Sequence, residues 1–112
     1  EHTGGKLPLW LSPDQIIILP ISEKFHNFAN QILESLESNG IRASVDERSE
    51  KIGKKIRDAE LAKIPYMLII GEKEVDEQKV SIRRQGQGDM GSMLVHDFIE
   101  KIKQELKEET KQ

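Results

Sequence analysis

Asp46-Glu-Arg-Ser-Glu-Lys-Ile-Gly-Lys-Lys-Ile-Arg-Asp-Ala-Glu-Leu-Ala-Lys-Ile-Pro-Tyr-Met-Leu-Ile-Ile-Gly71 begins as a charged segment and ends as an apolar one. Ile52, Ile56 and Ala59 recur at helical spacing and predict a buried stripe, with Arg48, Lys51, Lys54, Lys55 and Arg57 on other faces. Pro65 cannot continue that helix, because it lacks an N–H and its ring collides with the preceding turn. Tyr66 to Ile70 is short, almost wholly apolar and ended by Gly71, the pattern of a strand buried on both faces. A parallel strand directly after a helix places the charged loop at one edge of a sheet, where open α/β folds hold their ligands.

Outward from that stretch the same alternation of elements continues. Ile16 to Ile21 is a β-branched, continuous run and predicts a buried strand, with Pro20 near its end. Ser22 is a suitable N-cap for a helix whose stripe is Phe25, Phe28, Ala29, Ile32, Leu33 and Leu36, and Gly40 closes it. Ile41 to Val45 alternates and predicts the next strand, so the first half of the chain is a βαβ unit extended by a second helix and a third parallel strand. Glu72 to Gln78 is too polar for core and reads as a loop. Lys79 to Arg83 alternates strictly, as a half-exposed antiparallel strand does, and Gln85 to Asp89 supplies turn residues before a short partner strand over Met90 to Leu94. Val95, Phe98, Ile99, Ile102 and Leu106 then define a last amphipathic helix that frays over 107–112. The expected organisation is an extended lead-in over 1–13 anchored by Trp10, one domain over 14–106 and a frayed tail.

The chain has 112 residues, enough for one domain that needs no metal or disulfide staple. It has no cysteine, which excludes thiol catalysis and Cys-based zinc sites and fits the cytoplasm. No apolar run approaches a membrane span, and no secretory pattern opens the chain, which starts at Glu1 and so reads as part of something longer. Net charge is −3, so a polyanion partner has to be met by local charge. Gly86, Gly88 and Gly91 spell G-x-G-x-x-G, but the strand before them alternates and no acid-bearing strand follows, so they read as hairpin residues. His2, His26 and His96 have no metal-ligand spacing, and no serine lies in a nucleophile-elbow context. Nothing in the pattern points to catalysis.

What remains is the sheet edge from Asp46 to Arg57, with Arg83 on the neighbouring antiparallel strand and Glu74 in the loop between. Guanidinium and carboxylate groups there can read the hydrogen-bonding edge of an unstacked RNA base, or can form a lattice of salt bridges among themselves. A flavodoxin-like domain binding a nucleotide or phosphate at the same edge, and a pure interaction module, are the competing readings.

Several motifs carry a resemblance. Pro8-Leu-Trp-Leu-Ser-Pro13 with Gln15, Gly40-Ile-Arg42, Asp46-x-Arg48-x-Glu-Lys-Ile-Gly53, Lys55-Ile-Arg57, Ile64-Pro-Tyr-Met67, Gly71-x-Lys-Glu-Val75 and Val80-x-Ile-Arg83 follow in order along nearly the whole chain. Together they resemble the C-terminal anticodon-binding domain of bacterial-type threonyl-tRNA synthetases, a class II family. The resemblance implies a three-layer α/β/α fold on a five-stranded mixed sheet with one antiparallel strand. It also implies that the anticodon loop of threonine tRNA is the ligand, contacted at its second and third bases. Arg57, Glu74 and Arg83 match residues that family members use on the anticodon, and Glu50 and Lys51 belong to the same loop. Ser49 stands where the family commonly has Asn, with a shorter group in place of a two-ended amide. The partners so implied are the tRNA and the rest of a synthetase chain, homodimeric through its catalytic domain, with no membrane and with this domain alone a monomer. No cofactor is implied in this segment, since ATP, magnesium and zinc belong to the catalytic domain.

Overall fold

A computed structural model describes residues 9–109 of the chain; the Trp10 side chain, expected to anchor the lead-in, lies outside the described groups, as do residues 1–8 and 110–112. Five strands, β1 (Ile16–Pro20), β2 (Ala43–Val45), β3 (Tyr66–Ile70), β4 (Lys79–Arg84) and β5 (Gly88–Leu94), form one sheet in the order β2-β1-β3-β4-β5. β1 runs parallel to β2 and β3, while β4 is antiparallel to β3 and β5, so one strand opposes the other four. This is the expected mixed sheet.

Helices α1 (His26–Ser38), α2 (Ile52–Leu61), α3 (Glu72–Glu77) and α4 (Val95–Glu109) complete the fold. Phe28, Ala29, Ile32 and Leu36 of α1 and Phe98, Ile99 and Ile102 of α4 pack with Ile16, Ile18, Leu68, Val80 and Ile82 in the larger core. Ala59 of α2 packs with Leu19, Met67 and Ile64 in a smaller core on the opposite face, supported by Ile52 and Ile56. Strand alternation produces the two cores, because Ile18 and Leu19, or Met67 and Leu68, point to opposite sides. One layer of helices therefore lies on each face.

Five local expectations need correction. Ser22 caps a 3-10 turn, Glu23–Phe25, by accepting from the Lys24 amide at 3.3 Å, and α1 starts only at His26. Glu72 to Glu77 is a helix rather than a loop, because the Glu74 carboxylate reaches back to accept from the Gly71 amide at 2.8 Å and so ties down the first turn. Lys55 is not on an outward face: it is 2% exposed and shares the buried side of α2 with Ile52 and Ala59. The last helix continues through Glu109, past the residue at which fraying is expected. The lead-in is not extended throughout either, since Leu9–Leu11 forms a 3-10 turn and Leu9 is 1% exposed within the larger core. Buried Gln15 locks this turn to the domain, donating from Nε2 to the Leu9 carbonyl and accepting from the Arg42 amide.

Candidate functional site

The C-terminal ends of β1, β2 and β3 all reach one edge of the sheet, and the loop 46–51 leaves from there. Lys55 holds that edge together. Its Nζ donates to the Pro20 carbonyl and to the Asp46 carbonyl, both at 3.1 Å, so one ammonium joins α2 to the ends of β1 and β2. The aliphatic stem of a lysine lies among apolar groups without penalty while its head satisfies strand-end carbonyls that have no ladder partner.

Arg48 closes the loop on itself. Its guanidinium grips Asp46 with two bonds, Nε to Oδ1 at 2.9 Å and Nη2 to Oδ2 at 2.8 Å, and reaches Asp58 on α2 through Nη1 at 3.0 Å. Lys54 joins Asp58 at 3.5 Å. The Arg48 guanidinium holds the Asp46 and Asp58 carboxyls below the usual aspartate range, and they in turn raise the arginine. For Arg48, Lys54, Asp46 and Asp58 the salt-bridge lattice is therefore the correct reading.

Ser49, Glu50 and Lys51 are exposed, and their side chains have no hydrogen-bond or ion-pair partner among the described residues. Together they line a cavity of about 470 Å³ with Ile21, Ser22, Glu23, His26, Arg48 and Lys55. Arg57, Glu74 and Arg83 do not line it. Arg83 pairs in register with Met67, the second residue of β3, which sets it about 13 Å along the strands from Gly71 at ~3.3 Å per residue, on the sheet face rather than at its edge.

That face has a definite side. Val80 and Ile82 point into the larger core, so Ser81 and Arg83 point to the α2 side, the side of Met67. Ser81 donates to Glu74 Oε2 at 2.7 Å, which fixes the carboxylate over β4 only two residues from Arg83. Burial acts to raise the Glu74 carboxyl, but bonds from Ser81, the Gly71 amide and its own amide outweigh it and hold the group below the usual glutamate range. Nε of Arg83 is buried and has no hydrogen-bond partner among the described residues. Arg57, one turn before Glu60, shares the flank of α2 that meets the β4–β5 hairpin, where Glu60 accepts from the Gly86 amide at 3.1 Å. Its exposed side chain has no partner among the described residues. The glycines of the G-x-G-x-x-G string belong to this hairpin, with φ of 79°, 85° and 91° at Gly86, Gly88 and Gly91.

Sequence reasoning missed two contributors. Lys55 was concealed because a lysine in a charged run looks solvated. Ile21, 47% exposed, lines the loop cavity and also lies against Gly71, where an added Cβ would stand 3.0 Å from Ile21 Cδ1 and 3.2 Å from Glu74 Oε1. Gly71 is thus needed for close approach, and Ile21 is an apolar surface between the loop cavity and Glu74. The apolar run placed Ile21 inside the first buried strand, but β1 ends at Pro20 and leaves Ile21 exposed at the sheet edge. Among the described residues no group of three His, Asp or Glu side chains could hold a metal, and no helix is long and apolar enough to cross a membrane.

Comparison with known proteins identifies the family and the fold. The threonine–tRNA ligase of Cytophaga hutchinsonii is 58% identical over 106 residues, and that of Porphyromonas gingivalis 54%; each alignment covers 95% of this chain and 16% of the relative. The chain thus spans about a sixth of the length of the curated relatives it matches. The crystal structure of the RNA binding domain of threonyl-tRNA synthetase from Cryptosporidium parvum Iowa II superposes with a TM-score of 0.85 at 39% identity, over 92% of this chain and 26% of that one. Histidyl-tRNA synthetase from Nostoc sp. PCC 7120 shares the fold, with a TM-score of 0.78 at 22% identity over 85% of this chain and 23% of that one. The family model described as anticodon binding domain matches residues 15–105, from the buried Gln15 to the α4 residue Glu105, and the chain therefore belongs to the anticodon-binding-domain family.

Proposed function

We propose that this chain is the anticodon-binding module of a threonine–tRNA ligase, holding the anticodon loop of threonine tRNA while the larger protein activates and transfers threonine in the cytoplasm. The observation that carries the reading is the buried Nε of Arg83, without a partner among the described residues, two residues along β4 from the Ser81 that anchors the Glu74 carboxylate. An unbonded donor and an anchored acceptor on one side of β4 match the edge of a base splayed out of a loop. Arg57 adds a cation on the α2 flank, and Ser49, Glu50 and Lys51 contribute a second group of contacts around their cavity. Zinc, magnesium and ATP belong to catalysis in the larger protein, which is read as a homodimer through its catalytic part, with this domain alone a monomer.

Phosphate contacts contribute little in this reading, because Arg48 and Lys54 are neutralised by aspartates and Lys55 is buried. Lys51 and Arg57 remain near the site, so log K should fall with log salt at a slope of about two. Affinity for an isolated stem-loop should be about micromolar or weaker. The test is a titration of labelled threonine anticodon stem-loops, unaltered and changed at one base, over a range of salt. The expected result is discrimination at the second and third anticodon positions that persists at moderate salt. Equal binding of all loops with a slope of six or more would mark a non-specific polyanion binder.

A further inference from the structure

We propose that Tyr66, Glu105 and Arg84 form a clamp on the α4 face of the sheet that positions Arg83 on the other, an inference that rests on Arg83 reading RNA as described above. Arg84 and Tyr66 are register partners across β4 and β3, and the Arg84 guanidinium lies 4.5 Å above the centre of the Tyr66 ring. Its Nη1 donates to Glu105 Oε2 at 3.3 Å, while the Tyr66 hydroxyl donates to Glu105 Oε1 at 2.7 Å. Lys101 Nζ donates to the same hydroxyl at 3.2 Å. The Tyr66 ring is itself held edge-on by Phe98, with centroids 5.7 Å apart. Burial, and then Glu105, push the Tyr66 hydroxyl up to about 12, so it stays a donor across the physiological range.

Arg83 is the residue next to Arg84 and points to the opposite face. It needs such support. The β4–β5 ladder is interrupted between Ser81 and Arg83, where Met90 and Gly91 on β5 face Ile82 alone, so β5 bends away there and the regular pairing resumes only at Arg83 with Asp89. Among the described residues nothing bonds Arg83 Nε. The backbone direction at Arg83 is then set from behind, by an arginine stacked on a buried ring and paired with a helix carboxylate. Tyr66, Arg84 and Glu105 are positioning residues and touch no RNA.

The experiment is a double-mutant cycle on the whole chain, with the threonine anticodon stem-loop as probe. Glu105→Ala should weaken binding about three- to tenfold in the parent and cause no further loss in the Arg83→Ala background. Ile102→Val, a methylene deletion in the core of the same helix, lowers stability without touching the clamp and should leave binding unchanged. If Glu105→Ala has no effect, or the same effect with and without Arg83, or an effect matched by Ile102→Val, the clamp is structural and the inference falls. If Arg83→Ala itself binds as the parent does, the RNA reading falls first and the inference with it.

Discussion

The outer flank of α2 and the α2-side face of β4 carry similar charges in opposite states. On the flank, Arg48 spends its guanidinium on Asp46 and Asp58, and Lys54 completes the set. On the sheet face, Arg83 keeps a buried donor unbonded, and Glu74 is fixed by Ser81 and Gly71 rather than by a cation. Exposed ion pairs add little to stability and offer nothing to a ligand, because each member already has its partner. A buried donor without a partner carries a standing desolvation cost that a ligand can relieve. Charge density in this molecule marks where the loop is closed, and the unsatisfied group marks the face proposed above for RNA.

The largest expected effect tests whether the closed edge is structural. Lys55→Met keeps the stem but leaves the Pro20 and Asp46 carbonyls without their donor, and it should lower stability by about 2–4 kcal/mol. Urea melts of the two proteins would measure it. An unchanged midpoint would mean that water replaces the ammonium.

The comparison is sharpened by exchanging the roles of its two arginines. Arg83→Ala should weaken stem-loop binding by about 1–3 kcal/mol without lowering the melting temperature, since no protein bond to Nε is lost. Arg48→Ala should change binding by less than about twofold, since its guanidinium is already paired. Fluorescence anisotropy on the same RNA checks both, and equal losses would erase the distinction between the regions.

Gly71→Ala joins the two regions in one substitution. The added Cβ presses on Ile21 and on the Glu74 carboxylate, both of which can give way at the surface, so stability should drop by only about 1 kcal/mol. Glu74 would nevertheless be displaced from Ser81, and discrimination between loops should suffer more than the melt. Discrimination intact with Gly71→Ala would show that Glu74 is not needed in its observed place.

The smallest effect concerns acid. Asp46 has a folded-state value lowered from the ordinary 3.8, chiefly by the Arg48 hydrogen bond, so its contribution is present above 3.8 and is lost as pH falls through the lower, folded value. Asp46→Asn should therefore flatten part of the decline in melting temperature below that pH. Parallel declines in parent and variant would mean that Asp46 is not stabilised by Arg48 in solution.

Much of the fold was legible beforehand because periodicity reports burial directly. The stripe through Phe28, Ile32 and Leu36, the continuous run Tyr66 to Ile70 and the alternation from Lys79 to Arg83 each became the expected element. Glu72 to Glu77 escaped because its first turn is secured by one carboxylate-to-amide bond that polarity alone does not signal. Lys55 escaped because its long stem lets a charged residue occupy a core position.

For the site, the residues themselves determined the chemical types and, through ordered motifs, the family. Alternation placed Arg83 and Ser81 on the same side of their strand. Only the tertiary structure decided which charges were free. Whether Arg48 is a ligand contact or a loop staple depends on its near neighbour Asp46 and on Asp58, which approaches it only after α2 packs across β1 and Lys55 ties down both strand ends. Register decided equally that Arg83 sits at Met67, away from Ser49 and Lys51, and that Arg84 behind it meets Tyr66 and Glu105. Pairings between residues far apart in the chain are set by strand register and helix packing, and local sequence spacing carries no information about them.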